Sequence, residues 1–165
     1  MTRAFLSLGS NLGDRLGYLR VAVAALDRGP RMRDEGTSKV YETDPVEVEG
    51  EQPDYLNCVV ELECGVPAIE LLRYCQGIEA ALGRERKGEK APRTLDIDVL
   101  LFGDENIADR DLRVPHGGVA RSFNVRGLAD LDKDLYIPGQ GKVGELLARA
   151  DFAGIGTFEG AEALC

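Results

Sequence analysis

The chain has 165 residues, 44% of them hydrophobic, and a formal net charge of -9. That size suits one domain with a core of its own, spanning 1–165, and the acidic balance argues against nucleic acid, which needs a basic footprint. No apolar run is long enough to cross a bilayer and Met1 to Ser7 lack the apolar stretch of an export signal, so no membrane partner and a cytoplasmic location are expected. Four cysteines without CxxC spacing and a single histidine exclude a structural zinc site and fit reduced thiols.

Arg3 to Leu8 is short, apolar and closed by Gly9-Ser10-Asn11, which predicts a first strand ending in a turn. Leu16, Leu19, Val23 and Leu26 then recur at helical spacing, with Asn11 or Asp14 as the cap and Gly29-Pro30 as the stop. After a polar loop, Thr37 to Thr43 reads as a second strand. Tyr55 to Cys64 is a stronger third, with Leu56, Cys58, Val60 and Leu62 on a core face and Tyr55 and Asn57 free to meet a ligand on the other. Pro67 opens a second helix with Leu71, Leu72, Cys75, Ile78 and Leu82 as its apolar stripe, and Gly83 follows its end. Leu95 to Phe102 is a fourth strand, nearly all apolar apart from Asp96 and Asp98.

Strand, helix, strand, strand, helix, strand is the α+β, ferredoxin-like βαββαβ order, here followed by a C-terminal extension. A four-stranded antiparallel sheet, open to enlargement, with helices packed on it is expected. In the extension, Val119 to Leu131 and Val143 to Ala150 have helical character. The Gly-rich end from Ala153 onward offers little to order it, so 150–165 is expected to be a poorly ordered tail.

Asp96 and Asp98 stand two apart on a strand, so their carboxylates point the same way, about 7 Å apart along the chain. Two carboxylates on an otherwise buried element are costly without a cation, and hard oxygen ligands of this kind suit Mg²⁺, which completes its shell with water and phosphate oxygens. A general acid and base pair is the other use of two carboxylates, but it leaves the neighbouring arginines without a role. Arg84, Arg86, Lys87, Lys90 and Arg93 fall within ten residues, against the acidic balance, and Arg93 shares the segment Ala91-Pro92-Arg93-Thr94-Leu95-Asp96-Ile97-Asp98 with the carboxylates. Cations beside a two-carboxylate metal site are what phosphoryl transfer requires.

No GxxxxGK[ST] occurs. The GxGxxG of Gly139 to Gly144 lacks a convincing preceding strand and the chain length needed for a dinucleotide fold, so a dinucleotide cofactor is not expected. Tyr55 and Asn57 offer an aromatic platform and an amide, suited to a flat heterocycle with edge amide groups. His116, the single histidine, is either structural or a donor to a phosphate oxygen.

In order along the chain stand Leu8-Gly9-Ser10-Asn11-Leu12-Gly13-Asp14-Arg15, Tyr41-Glu42-Thr43-Asp44-Pro45-Val46, Gln52-Pro53-Asp54-Tyr55-Leu56-Asn57, Pro92 to Gly103, and Val114-Pro115-His116. Over roughly residues 3–131 this pattern resembles the 6-hydroxymethyl-7,8-dihydropterin pyrophosphokinase family of folate synthesis. The resemblance implies transfer of pyrophosphate from ATP to the pterin hydroxymethyl group with release of AMP. It implies two Mg²⁺ ions on Asp96 and Asp98, with Arg84 and Arg93 also catalytic. The pterin would stack between Tyr55 and Phe123, with Thr43, Asn57, Asp44 and Val46 reading its edge. Gln76, Glu79, Arg84, Arg86, Arg93, Val99, His116 and Arg121 would contact the nucleotide, and a monomer is expected. The family commonly carries Arg-Trp-Gly before Pro-Arg-Thr, where this chain has Glu89-Lys90-Ala91 and no tryptophan anywhere. Gly117 follows His116 where proline is usual, and Asn124 to Leu128 replaces an apolar run. Two other functions compete: a non-catalytic pterin- or nucleotide-binding module with altered ATP loops, and a metal-dependent phosphohydrolase.

Overall fold

The computed structural model describes residues 1–44, 54–83 and 94–158. Chain order is β1 (Thr2–Ser10), α1 (Arg15–Asp27), β2 (Met32–Thr37), β3 (Tyr41–Thr43), β4 (Tyr55–Cys64), α2 (Ala68–Ala81) and β5 (Asp96–Phe102). Then come β6 (Ile107–Ala108), β7 (Arg113–Val114), α3 (Ser122–Leu131), β8 (Tyr136–Ile137), β9 (Gly141–Lys142), α4 (Val143–Arg149) and β10 (Ile155–Thr157). The main sheet runs β10-β3-β4-β1-β5, with β2 also paired to β4, and every pairing in it is antiparallel. This is the ferredoxin-like arrangement, with six strands where four were expected.

One difference lies on the second strand. Rather than running from Thr37 to Thr43, the edge of β4 is shared by β2, against Thr37 to Met32, and β3, against Thr43 to Tyr41. Between them Ser38 takes over the ladder: its N–H donates to the Val59 carbonyl and its Oγ accepts from the Val59 N–H, each at 2.8 Å. A side chain standing in for a backbone group lets the strand break without orphaning a donor. The polar run Arg33-Asp34-Glu35-Gly36 hides β2 because it has no apolar alternation.

The second difference is the tail. Residues 155–157 are not loose: they pair with β3, Ile155 opposite Thr43 and Thr157 opposite Tyr41. Backbone hydrogen bonding to an open sheet edge orders a segment whose own composition would not. Residues 159–165 lie outside the described residues. The Gly139 to Gly144 stretch takes in the turn and second strand of a tight hairpin, β8 to β9, and the start of α4, with Gly139 and Gly141 at positive φ.

The two sheet faces are covered unequally. On one, Leu6, Leu8, Leu56, Cys58, Val60, Leu62, Ile97 and Val99 pack with Leu19, Val23 and Leu26 of α1 and Leu71, Cys75 and Ile78 of α2. Full burial of such a side chain stabilises by about 1.5–3 kcal/mol, so this layer sets the fold. The capping that starts α1 comes from Asp14, whose Oδ1 accepts the Gly17 N–H at 3.1 Å. On the other face, Phe5, Val59, Leu100 and Leu101 pack with Leu128 of α3, Ile137 of β8 and Val143 of α4. Gly127 lets α3 approach, since a Cβ there would come within 2.5 Å of Val59 Cγ2. This second cover reaches only part of the sheet.

Cys58, Cys64 and Cys75 are buried thiols, none of them in a disulfide among the described residues, and burial pushes the Cys64 thiol above its ordinary value. Among the described residues no helix is long and apolar enough to cross a membrane.

Candidate active site

The uncovered part of the second face is a row of side chains fixed by strand register. Asp96 on β5 faces Gly9 on β1, Gly9 faces Asn57 on β4, and Asn57 faces Tyr41 on β3. The next row places Asp98 opposite Ser7, and Tyr55 opposite Thr43 closes the far end. Neighbouring strands lie about 4.8 Å apart, which puts Asp96 and Asn57 about 10 Å apart across Gly9.

Gly9 is the floor of this row. A Cβ there would meet Asn57 Oδ1 at 2.9 Å and Tyr55 Cδ1 at 3.5 Å, so only glycine leaves those two side chains lying over the strand. Asn57 Nδ2 donates to Thr43 Oγ1 at 2.6 Å, which locks amide and hydroxyl as one edge. Both residues are buried, while Tyr55 is partly exposed beside them. Phe123 occupies the first turn of α3, four residues before Gly127 and therefore on the same helix face. The far end of that helix lies over Gly36, with Leu131 Cδ2 3.4 Å from a Cβ placed there, so its first turn lies toward the open rows.

Asp96 and Asp98 are partly exposed, whereas Leu95, Ile97 and Val99 between and beside them are buried. The alternation expected from sequence is therefore present. Glu79 of α2 holds this strand from below: it is only 3% exposed, and its Oε2 accepts the Ile97 N–H at 2.9 Å. Its carboxylate thus reaches β5 beside Asp96 and Asp98, and a nucleotide contact of Glu79 is the expectation carried by the resemblance.

Beside Asp98 a cleft of about 330 Å³ opens, lined by Asp98, Val99 and His116 together with Leu72 of α2 and residues 109–113. His116 Nδ1 accepts the Gly118 N–H at 3.0 Å, which leaves the ring proton on Nε2, and Nε2 lies 3.5 Å from Asp98 Oδ1. The one histidine is thus a donor aimed at the carboxylate rim. Val99 contributes backbone, since its side chain is in the core. Gln76, exposed, lies one helical turn beyond Leu72, and Arg121 is exposed just before α3. Val46, Arg84, Arg86 and Arg93 lie outside the described residues.

Sequence reasoning missed Gly9, Leu72 and residues 109–113 as site-forming. A glycine inside a strand signals close approach and could have pointed to Gly9. The short hairpin β6–β7 that carries 109–113 has no apolar periodicity, and only the tertiary fold brings it to His116.

Two carboxylates fit a divalent cation that keeps water and phosphate oxygens, because no third metal-binding side chain joins them among the described residues. The sheet edge of Thr43 and Asn57, the carboxylates and the cleft at His116 are the build of an α+β transferase acting on polyphosphate. The description of the 7,8-dihydro-6-hydroxymethylpterin-pyrophosphokinase family matches residues 5–133, and the chain belongs to that family.

The 2-amino-4-hydroxy-6-hydroxymethyldihydropteridine pyrophosphokinase of Bacillus subtilis is 47% identical over 129 residues, covering 78% of this chain and 77% of that one. Its counterpart of the same name in Pseudomonas aeruginosa is 38% identical over 160 residues, 96% of this chain and 98% of that one. A crystal structure of Plasmodium falciparum HPPK-DHPS shares the fold with a TM-score of 0.68 at 15% identity, over 90% of this chain and 43% of that longer chain.

Proposed function

We infer that this chain transfers the pyrophosphoryl group of ATP to the hydroxymethyl oxygen of 6-hydroxymethyl-7,8-dihydropterin and releases AMP, a step of folate biosynthesis. The observation that carries this is the continuous surface from the Asn57–Thr43 edge across Gly9 to Asp96 and Asp98, ending in the cleft at His116. A flat heterocycle over Gly9, between Tyr55 and Phe123, presents its edge to Asn57 and Thr43, with Asp44 following Thr43; Val46 is assigned to the same edge by the family resemblance alone. The nucleotide lies in the cleft, against Leu72, Val99 and residues 109–113, with Gln76 and Arg121 at its margin. Its polyphosphate then passes His116 Nε2–H on the way to the carboxylates.

In the transfer, the hydroxymethyl oxygen forms a bond to the β-phosphorus as the bond from that phosphorus to the α,β-bridging oxygen breaks. AMP carries away the electron pair, and the hydroxyl proton passes to solvent. Asp96 and Asp98 would hold two Mg²⁺ ions, which would supply charge neutralisation for the phosphate oxygens. The protein's own part is placement: β5 is held by Glu79, the ring by the Gly9 floor, and the two reacting groups by one rigid sheet. Arg84, Arg86 and Arg93 are assigned to the phosphates because they adjoin β5 in sequence. We assign the chain to the cytoplasm, and we assign it a monomeric state that light scattering checks.

Incubation with ATP, Mg²⁺ and the hydroxymethyl dihydropterin should yield AMP and the pterin diphosphate in equal amounts. ADP as the nucleotide product, or phosphate release without pterin, would overturn this function. Isothermal titration of Mn²⁺ in the presence of a non-hydrolysable ATP analogue should count two ions per chain.

A further inference from the structure

Beyond the matched residues 5–133, the chain returns to the site. β10 is the outer neighbour of β3, the three-residue strand that carries Thr43. The Asp44 N–H donates to the Gly154 carbonyl at 3.2 Å, and the Phe158 N–H donates to the Val40 carbonyl at 2.8 Å, so both ends of β3 are tied to the same segment. Side chains add a second fastening. The Arg126 guanidinium of α3 lies 4.7 Å from the Tyr41 ring centre and 5.2 Å from that of Phe152, linking helix, strand and tail. At the other end Arg15 reaches over Phe158 at 5.9 Å and pairs with Glu42 at 2.7 Å. Gly154 has φ +75°, and a Cβ there would come within 2.5 Å of Asp44 Oδ2, so tail and strand are in close contact beside the Asn57–Thr43 edge.

We propose that residues 152–158 are a positioning element for the pterin, setting the place of Thr43 and Asp44 from behind without touching the substrate. The proposal rests on the assignment of the Asn57–Thr43 edge to the pterin. A three-residue strand makes few ladder bonds with β4 by itself, and its outer groups are satisfied by β10. Freed of that partner, β3 shifts, and the Asn57 to Thr43 hydrogen bond shifts with it. The cleft at His116 and the carboxylates stand on β5, at the opposite edge of the sheet from β10.

Steady-state kinetics on the full chain carrying Gly154→Val, Phe152→Ala or Phe152→Tyr test this. Gly154→Val and Phe152→Ala should raise the KM for the pterin on the order of tenfold, as misplacement of a binding group does, with kcat at saturating pterin and the KM for MgATP unchanged. Phe152→Tyr keeps the ring under Arg126 and should restore the wild-type KM. If Gly154→Val does not fold, the Phe152 pair decides alone. A wild-type pterin KM in Phe152→Ala overturns the proposal, as does a parallel rise in the KM for MgATP, which marks general loosening. Asn57→Ala separates the two levels: if it weakens the pterin while Gly154→Val and Phe152→Ala do not, only the role of the tail fails. If Asn57→Ala also leaves the pterin unaffected, the pterin assignment itself falls.

Discussion

The two faces of the sheet use the same strands to opposite ends. Beneath α1 and α2 the inward positions are mostly apolar and closed, with Glu79 as a buried carboxylate among them, while the other face is closed only where α3 and α4 reach it. Along β5 the contrast is resolved residue by residue, with Ile97 buried on one side and Asp96 and Asp98 on the other. Stability is concentrated on the face where cover is complete, and the proposed chemistry sits where it stops.

The sharpest separation should come from Asp98→Ala. Removing a carboxylate proposed to serve phosphate neutralisation forfeits several kcal/mol of transition-state stabilisation, so AMP formation should fall roughly 10³-fold. The thermal midpoint should stay at or above wild type, because no buried packing is lost. Leu8→Ala, one strand away on the closed face, is the mirror image. It should cost about 2–5 kcal/mol in urea denaturation and leave kcat near wild type at temperatures where the protein remains folded.

Gly9→Val tests the floor of the open face. Its added atoms fill the space over the strand, and the KM for the pterin should rise on the order of tenfold or more while the KM for MgATP changes little. Glu79→Ala joins the two faces, since it removes the carboxylate that accepts the buried Ile97 N–H. It should cost about 1–3 kcal/mol, with Glu79→Gln recovering most of that because its amide oxygen still accepts.

The smallest effect concerns Tyr41, whose hydroxyl donates to Asp130 Oδ2 at 2.5 Å. Burial first, then the Asp130 carboxylate, pushes its pKa well above the ordinary value of 10.0. The folded protein therefore keeps this proton after the unfolded chain has released it. The resulting contribution to stability is complete below about pH 10 and lost as pH rises through the raised value. Tyr41→Phe should flatten the decline of unfolding free energy above that pH, measured by urea titration across the alkaline range.

Sequence alone determined the ferredoxin-like order, the strand from Tyr55 to Cys64 at its true ends, the two long helices and the alternation that exposes Asp96 and Asp98, since these depend on local apolar periodicity and on composition at element ends. The pairing of Asn57 with Thr43, the inward turn of Glu79, the approach of residues 109–113 to His116 and the return of residues 155–157 to the sheet were decided only by tertiary structure. Each depends on a partner distant in the chain: a strand register, a backbone donor or an open edge. Periodicity describes a segment's preference for burial, whereas the identity of what buries it is settled when the whole chain packs.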